Sequence, residues 1–209
     1  MSLVLRRHDI VFAKFFLHAL FSYLLINQFY LATIDELGGD PVKSMIHFTG
    51  LGALNLLLVT LSVSPLSKIF KIRQFVKFRR LIGLYSFVYA ITHILCFLFF
   101  EVQFDIIFFF EEVINRPYIL VGMTAFLILM ILALTSFSLL KRRLGAKWQT
   151  LHNMVYLATF LVTIHFLWSV KLNVVEPVIY IVLLILLMIP RRRKVISMVS
   201  KLKKSKLLL

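Results

Sequence analysis

WQTLHNMVYLATFLVTIHFLW, residues 148–168, decides how this chain is read. The run is apolar and has about the 20 residues a helix needs to cross the hydrocarbon layer. It carries two histidines, His152 and His165. An ionisable side chain is expensive to hold in hydrocarbon, so within a spanning segment it points to function first.

The rest of the chain agrees with a membrane setting. Of its 209 residues 61% are hydrophobic and only 16% charged, a balance that excludes an ordinary soluble domain. Six apolar segments approach spanning length: 11–31, 46–64, 81–100, 118–139, 150–169 and 174–190. Glu176 and Pro177 weaken the start of the last one. Arg6 and Arg7 precede the first, but no Ala-x-Ala-like cleavage site follows, so it is expected to remain as an uncleaved span. Segment 102–114, rich in Phe, is too short to span and is expected to lie on the outer interface. The single cysteine, Cys96, allows neither an intrachain disulfide nor a cysteine-held cluster.

Charge sorts the connections. Of the 24 lysines and arginines, all but Lys14, Lys43, Arg116 and Lys171 lie in 1–10, 65–80, 140–149 and 191–209. Of the nine acidic residues only Asp9 lies there. The positive-inside rule then places both termini in the cytoplasm and three acidic loops outside. The expected fold is an all-α integral membrane protein: a six-transmembrane-helix bundle forming a single domain over 1–209, with a basic cytoplasmic tail at 191–209. The net charge of +15 is assigned to topology and anionic membrane lipids, not nucleic acid, because the basic residues sit on short loops beside spans.

His93 lies thirteen residues past Arg80 on the third span, about 20 Å along a helix. His165 lies fifteen residues past Thr150 on the fifth, which runs the same way. Two neutral imidazoles at similar depth on separate helices suit bis-His ligation of haem iron. The alternative is that each merely bonds a neighbouring carbonyl. His152 precedes His165 by thirteen residues, but Arg79 and Arg80 stand where a second pair would need histidine on the third span. His152 with Arg79 and Arg80 could instead hold an anionic group such as a flavin phosphate or haem propionate, or His152 could simply lie at the interface. His47, near the outer end of the second span, is a candidate quinone or propionate contact, or an interfacial residue. His18, four residues after Lys14, is a candidate cofactor or quinone contact, or makes a structural bond. There is no HExxH, no phosphate-binding glycine loop and no nucleophile–His–acid set at one depth.

RRLIGLYSFVYAITH (79–93), RPYILVGMTAFLILMILALTS (116–136) and RRLGAKWQTLHNMVYLATFLVTIHFLWSVK (142–171) resemble the ferric-reductase-like transmembrane family. With DPVKSMIHFTG (40–50) included, they resemble more closely the haem-binding membrane subunits of bacterial periplasmic methionine-sulfoxide reductase systems. The resemblance covers roughly residues 10–190. It implies a multi-pass protein of the bacterial inner membrane carrying electrons from the quinone pool through haem b, whose iron is the metal bound. The receiving partner would be a periplasmic molybdopterin-containing reductase that repairs oxidised methionines, so the methionine-sulfoxide chemistry is expected on the partner. It also implies FMN as a second cofactor, and maps the family's histidines onto His93, His152 and His165. The missing second histidine on the third span favours one haem over two. The competing classes are another haem-containing transmembrane reductase, a haem-free quinone-binding protein, and a transporter or assembly subunit. A transporter should show broken midplane helices or repeated halves.

Overall fold

The second spanning helix begins as its sequence dictates. Asp40 accepts a hydrogen bond from the Lys43 N–H at 2.9 Å, and Pro41 follows at the first helical position, where no amide bond is lost. In the computed structural model, which describes residues 6–170 and 174–191, every described element is helical. Lys171 and residues 192–209, most of the basic tail, lie outside the described residues.

The chain divides into two compact units, Met1–Ile119 and Leu120–Leu209. The first contains α1 (Arg7–Thr33), α2 (Pro41–Ile69), a 3-10 turn (Arg73–Phe78), α3 (Arg79–Cys96), a π-turn (Phe97–Glu101) and α4 (Ile106–Asn115). The helix α5 (Pro117–Leu134) leads into the second unit, followed by α6 (Ser138–Leu144), α7 (Ala146–His152), α8 (Val155–Ser169) and α9 (Val175–Met188).

Among the described residues five helices are long and apolar enough to cross a membrane: α1, α2, α3 with its flanking turns, α5, and the α7–α8 run. The expected sixth segment corresponds to α9, which has 14 residues. The chain's apolar side chains explain the setting. On α1, Phe12, Phe15 and Ile26 are about 70% exposed. Leaving such side chains in water instead of apolar surroundings costs about 1.5–3 kcal/mol each, so this surface belongs against lipid. The protein is a multi-pass membrane protein.

In the first unit α2 is central and α1 peripheral: half of the spanning window of α2 is buried, against 6% for α1. Ala53, Leu56 and Val63 of α2 pack with Ile82 and Tyr89 of α3. The Ser86 hydroxyl donates to the Ala53 carbonyl at 2.9 Å. Two tyrosines one turn apart on α3 hold α1: Tyr85 donates to the His18 carbonyl at 3.3 Å and Tyr89 to the Phe21 carbonyl at 2.9 Å. Small residues allow the approach. A methyl on Gly52 would lie 2.4 Å from the Tyr89 ring, so this glycine is a condition of the α2–α3 packing.

The Phe-rich segment expected to be too short to span forms the short helix α4. Asp105 caps α4 by accepting from the Phe108 N–H at 2.9 Å, and Ile106, Ile107, Phe108, Phe110 and Ile114 are exposed while Val113 is buried. Arg116 closes it, with Nε 2.7 Å from Glu112 and Nη1 donating to the Tyr118 hydroxyl at 3.3 Å. The Tyr118 hydrogen bond first, and the Glu112 charge after it, raise the guanidinium pKa above its ordinary value.

In the second unit Ala125, Ile128, Leu129, Leu132 and Ala133 are the buried positions of α5, one turn or one step apart. Thr159 and Thr163 of α8 are fully buried, and each donates to the carbonyl four residues back at 2.8 Å. Their hydroxyls are thereby satisfied within their own helix. The stretch 148–168 is not one uninterrupted helix. Asn153 and Met154 form a tightened turn in which the Met154 N–H donates to Leu151 and the Gln149 side chain donates to Asn153 Oδ1. Asn is a weak helix former, and the break falls at it.

Candidate functional site

Ser86, Tyr89 and His93 lie on one face of α3, three and four residues apart, and all meet α2. The half-buried His93 ring has Nδ1 2.9 Å from the Ile46 carbonyl. A carbonyl only accepts, so Nδ1 carries the proton and Nε2 carries the lone pair. This is the arrangement by which an outer bond fixes a ligating imidazole's tautomer and orientation. Gly50 lies beneath the same ring: a methyl there would sit 3.0 Å from both Cε1 and Nδ1.

The second unit repeats the device. His165 on α8 packs against Gly122 on α5, where a methyl would lie 2.7 Å from Nδ1, 2.9 Å from Cε1 and 3.1 Å from Cγ. Phe166, the next residue, is buried and meets Tyr180 of α9 edge to face at 5.7 Å. Each of the two histidines expected from the sequence as haem ligands, His93 and His165, is thus seated on a glycine of a neighbouring helix.

His152 ends α7 in a polar stack. Its ring lies parallel to Trp148 with centroids 4.0 Å apart, and its Nε2 is 3.1 Å from the Thr135 hydroxyl. Trp148 donates to the Thr135 carbonyl at 2.9 Å, and the Lys141 ammonium stands 4.6 Å over the indole. This cation–π contact brings a positive charge to the stack. Arg79 and Arg80 are the first two residues of α3, in the other unit.

His47 is exposed, three residues before Gly50 on α2. His18 makes the structural bond that was one of its two expected roles: Nδ1 lies 2.9 Å from the Tyr85 hydroxyl. Among the described residues no group of three or more His, Cys, Asp or Glu forms a metal-holding cluster. Gly50, Gly122, Thr135 and the tyrosine pair are what sequence reasoning missed. The available signal was small residues inside spans, which mark close helix approach.

These helices and their glycine-seated histidines define an intramembrane helical protein of a recognisable kind. The family described as Ferric reductase like transmembrane component matches residues 48–163, more than half of the chain, and the chain belongs to it. Over 187 residues it is 40% identical to the protein-methionine-sulfoxide reductase heme-binding subunit MsrQ of Cronobacter sakazakii (strain ATCC BAA-894), covering 89% of this chain and 94% of that one. It is 40% identical to the MsrQ of Salmonella arizonae and 41% to that of Salmonella newport (strain SL254), with the same coverage. No solved structure matches.

Proposed function

We propose that the chain is the membrane electron-transfer subunit of a methionine-sulfoxide reductase system, binding haem b with His93 and His165 as the iron ligands. The observation that carries this is the His93 ring, fixed by Ile46 so that Nε2 is the ligating nitrogen and backed by Gly50. The donor set suits haem iron: two neutral imidazoles in apolar helices, each held by close packing. A bis-His haem supplies one-electron transfer with no open iron position. The protein's part is to fix the two rings, keep water from them and set the basicity of His93 through the Ile46 carbonyl.

Further proposals follow from the charge pattern and the relatives. The chain forms one domain of six spans in the bacterial inner membrane, α9 being the sixth, with both termini cytoplasmic. It takes electrons from the quinone pool and delivers them to a periplasmic molybdopterin-containing reductase on which the methionine-sulfoxide chemistry occurs. One haem is bound. His152, with Arg79 and Arg80, serves an inner anionic group, an FMN phosphate or a propionate; His47 serves an outer propionate or quinone. The Lys141–Trp148–His152 stack supports an aromatic, positively charged inner site.

An absorbance spectrum of the purified, dithionite-reduced protein tests the core of this function. A b-type haem spectrum is expected, lost in His93→Ala and in His165→Ala. Full haem retention in either variant would overturn the ligand assignment.

A further inference from the structure

α1 presents exposed apolar side chains along most of its length, Phe12, Phe15, Phe16, Leu24 and Ile26 among them, and an ionisable histidine stands in their midst. His18 is exposed, eleven residues past Arg7 and hence about 16 Å along the helix. The hydrocarbon layer is about 30 Å thick, so this places the imidazole deep in it. Its Nδ1 lies 2.9 Å from the Tyr85 hydroxyl, which also lies 3.0 Å from Ser22 Oγ. Among the described residues its other nitrogen, Nε2, has no hydrogen-bond partner. A polar atom facing hydrocarbon is costly without a partner. Phospholipid headgroups stay at the interface, so a ligand reaching this depth must be lipid-soluble and still carry a polar oxygen.

We propose that His18 and Tyr85, with Ser22, form the headgroup site for a lipid-soluble quinone and its hydroquinone. The hydrogen-bond pattern gives the reason. Tyr85 has one proton, for which the His18 carbonyl and His18 Nδ1 compete, while Ser22 can donate to the Tyr85 oxygen. When Tyr85 donates to the carbonyl, Nδ1 carries the ring proton and donates to the Tyr85 oxygen. Nε2 is then a lone pair able to accept from a hydroquinone O–H. When Tyr85 donates to Nδ1, the proton moves to Nε2, which can donate to a quinone carbonyl. One pair of residues therefore matches both forms of the ligand by exchanging tautomers. Phe21, with its ring centroid 5.1 Å from that of Tyr85, adds an aromatic wall.

The position is useful. Tyr85 precedes His93 by eight residues on α3, an axial step of about 12 Å. The site deepens the function proposed above and rests on it for an electron acceptor near His93.

The test uses the full chain in lipid nanodiscs, titrated with decylubiquinone and with its hydroquinone. Wild type should bind both saturably. His18→Ala and Tyr85→Phe should each weaken binding about tenfold, the loss of one or two hydrogen bonds, while His18→Gln retains part of the affinity. Tyr85→Phe keeps the ring packing, and equal thermal unfolding certifies the fold. The dithionite-reduced haem spectrum should be unchanged in all three. Non-saturable partitioning in the wild type, or affinity unchanged in both His18→Ala and Tyr85→Phe, would overturn the site. So would a shift in oligomeric state with unchanged quinone affinity, which would show that a second copy covers His18. A wild type without haem absorbance would instead remove the haem function, whatever the titration shows.

Discussion

His165 and Gly122 are so close that the glycine's missing methyl would lie 2.7 Å from the imidazole Nδ1. No real side-chain carbon sits that near a rigid ring, so Gly122→Ala must displace the imidazole or part α5 from α8. Such overpacking costs about 1–3 kcal/mol. Under the haem function the displacement falls on an iron ligand, and Gly122→Ala should lose most of its haem, measured as the ratio of haem to protein absorbance. An unchanged ratio would show that the glycine is packing only.

Gly50 makes the gentler version of the same contact, at 3.0 Å from the His93 ring. A ring held by the Ile46 carbonyl can yield a few tenths of an ångström before that bond fails. Gly50→Ala is therefore expected to keep part of its haem while shifting the Soret band or the reduction potential. Its retention should exceed that of Gly122→Ala; the reverse order would contradict the geometry.

Much of the fold was legible because hydrocarbon imposes length and composition on whatever crosses it. Five of the six expected spans appear where hydropathy put them, while the segment expected as the sixth holds the 14-residue α9. The histidines were legible as outliers in apolar runs. What each touches was not, because it depends on the register between helices. Gly50 and Gly122 are ordinary residues for a spanning helix until the opposing histidine is known. The interruption at Asn153–Met154 was hidden by a continuous hydropathy pattern. Tyr85 read as one more aromatic until its hydroxyl was found against His18 and Ser22.

His152 is separated chemically from the other two histidines by its stack on Trp148 and its contact with Thr135. His152→Ala should leave haem content near the wild-type level and lower the content of bound flavin or the rate of electron transfer. Trp148→Leu removes both the stack and the Lys141 cation–π contact, so it should act in the same direction. Cofactor extraction with separate haem and flavin quantitation checks this. Equal loss of haem in His152→Ala would make it a ligand and not an inner-site residue.

Tyr89 anchors α1 through a single bond to the Phe21 carbonyl while its ring fills the space above Gly52. Tyr89→Phe removes only the bond and should lower stability in mixed micelles by about 0.5–1.5 kcal/mol. Haem content should be kept, because the bond joins α1 to α3 and leaves the contact of His93 with Ile46 of α2 untouched. Gly52→Ala instead forces a methyl to 2.4 Å from the ring and disturbs the α2–α3 contact that also seats His93. It should destabilise more than Tyr89→Phe and reduce haem content as well. If the two variants lose stability equally with haem intact in both, α2 and α3 can separate without disturbing His93, and the shared-face account of Ser86, Tyr89 and His93 fails.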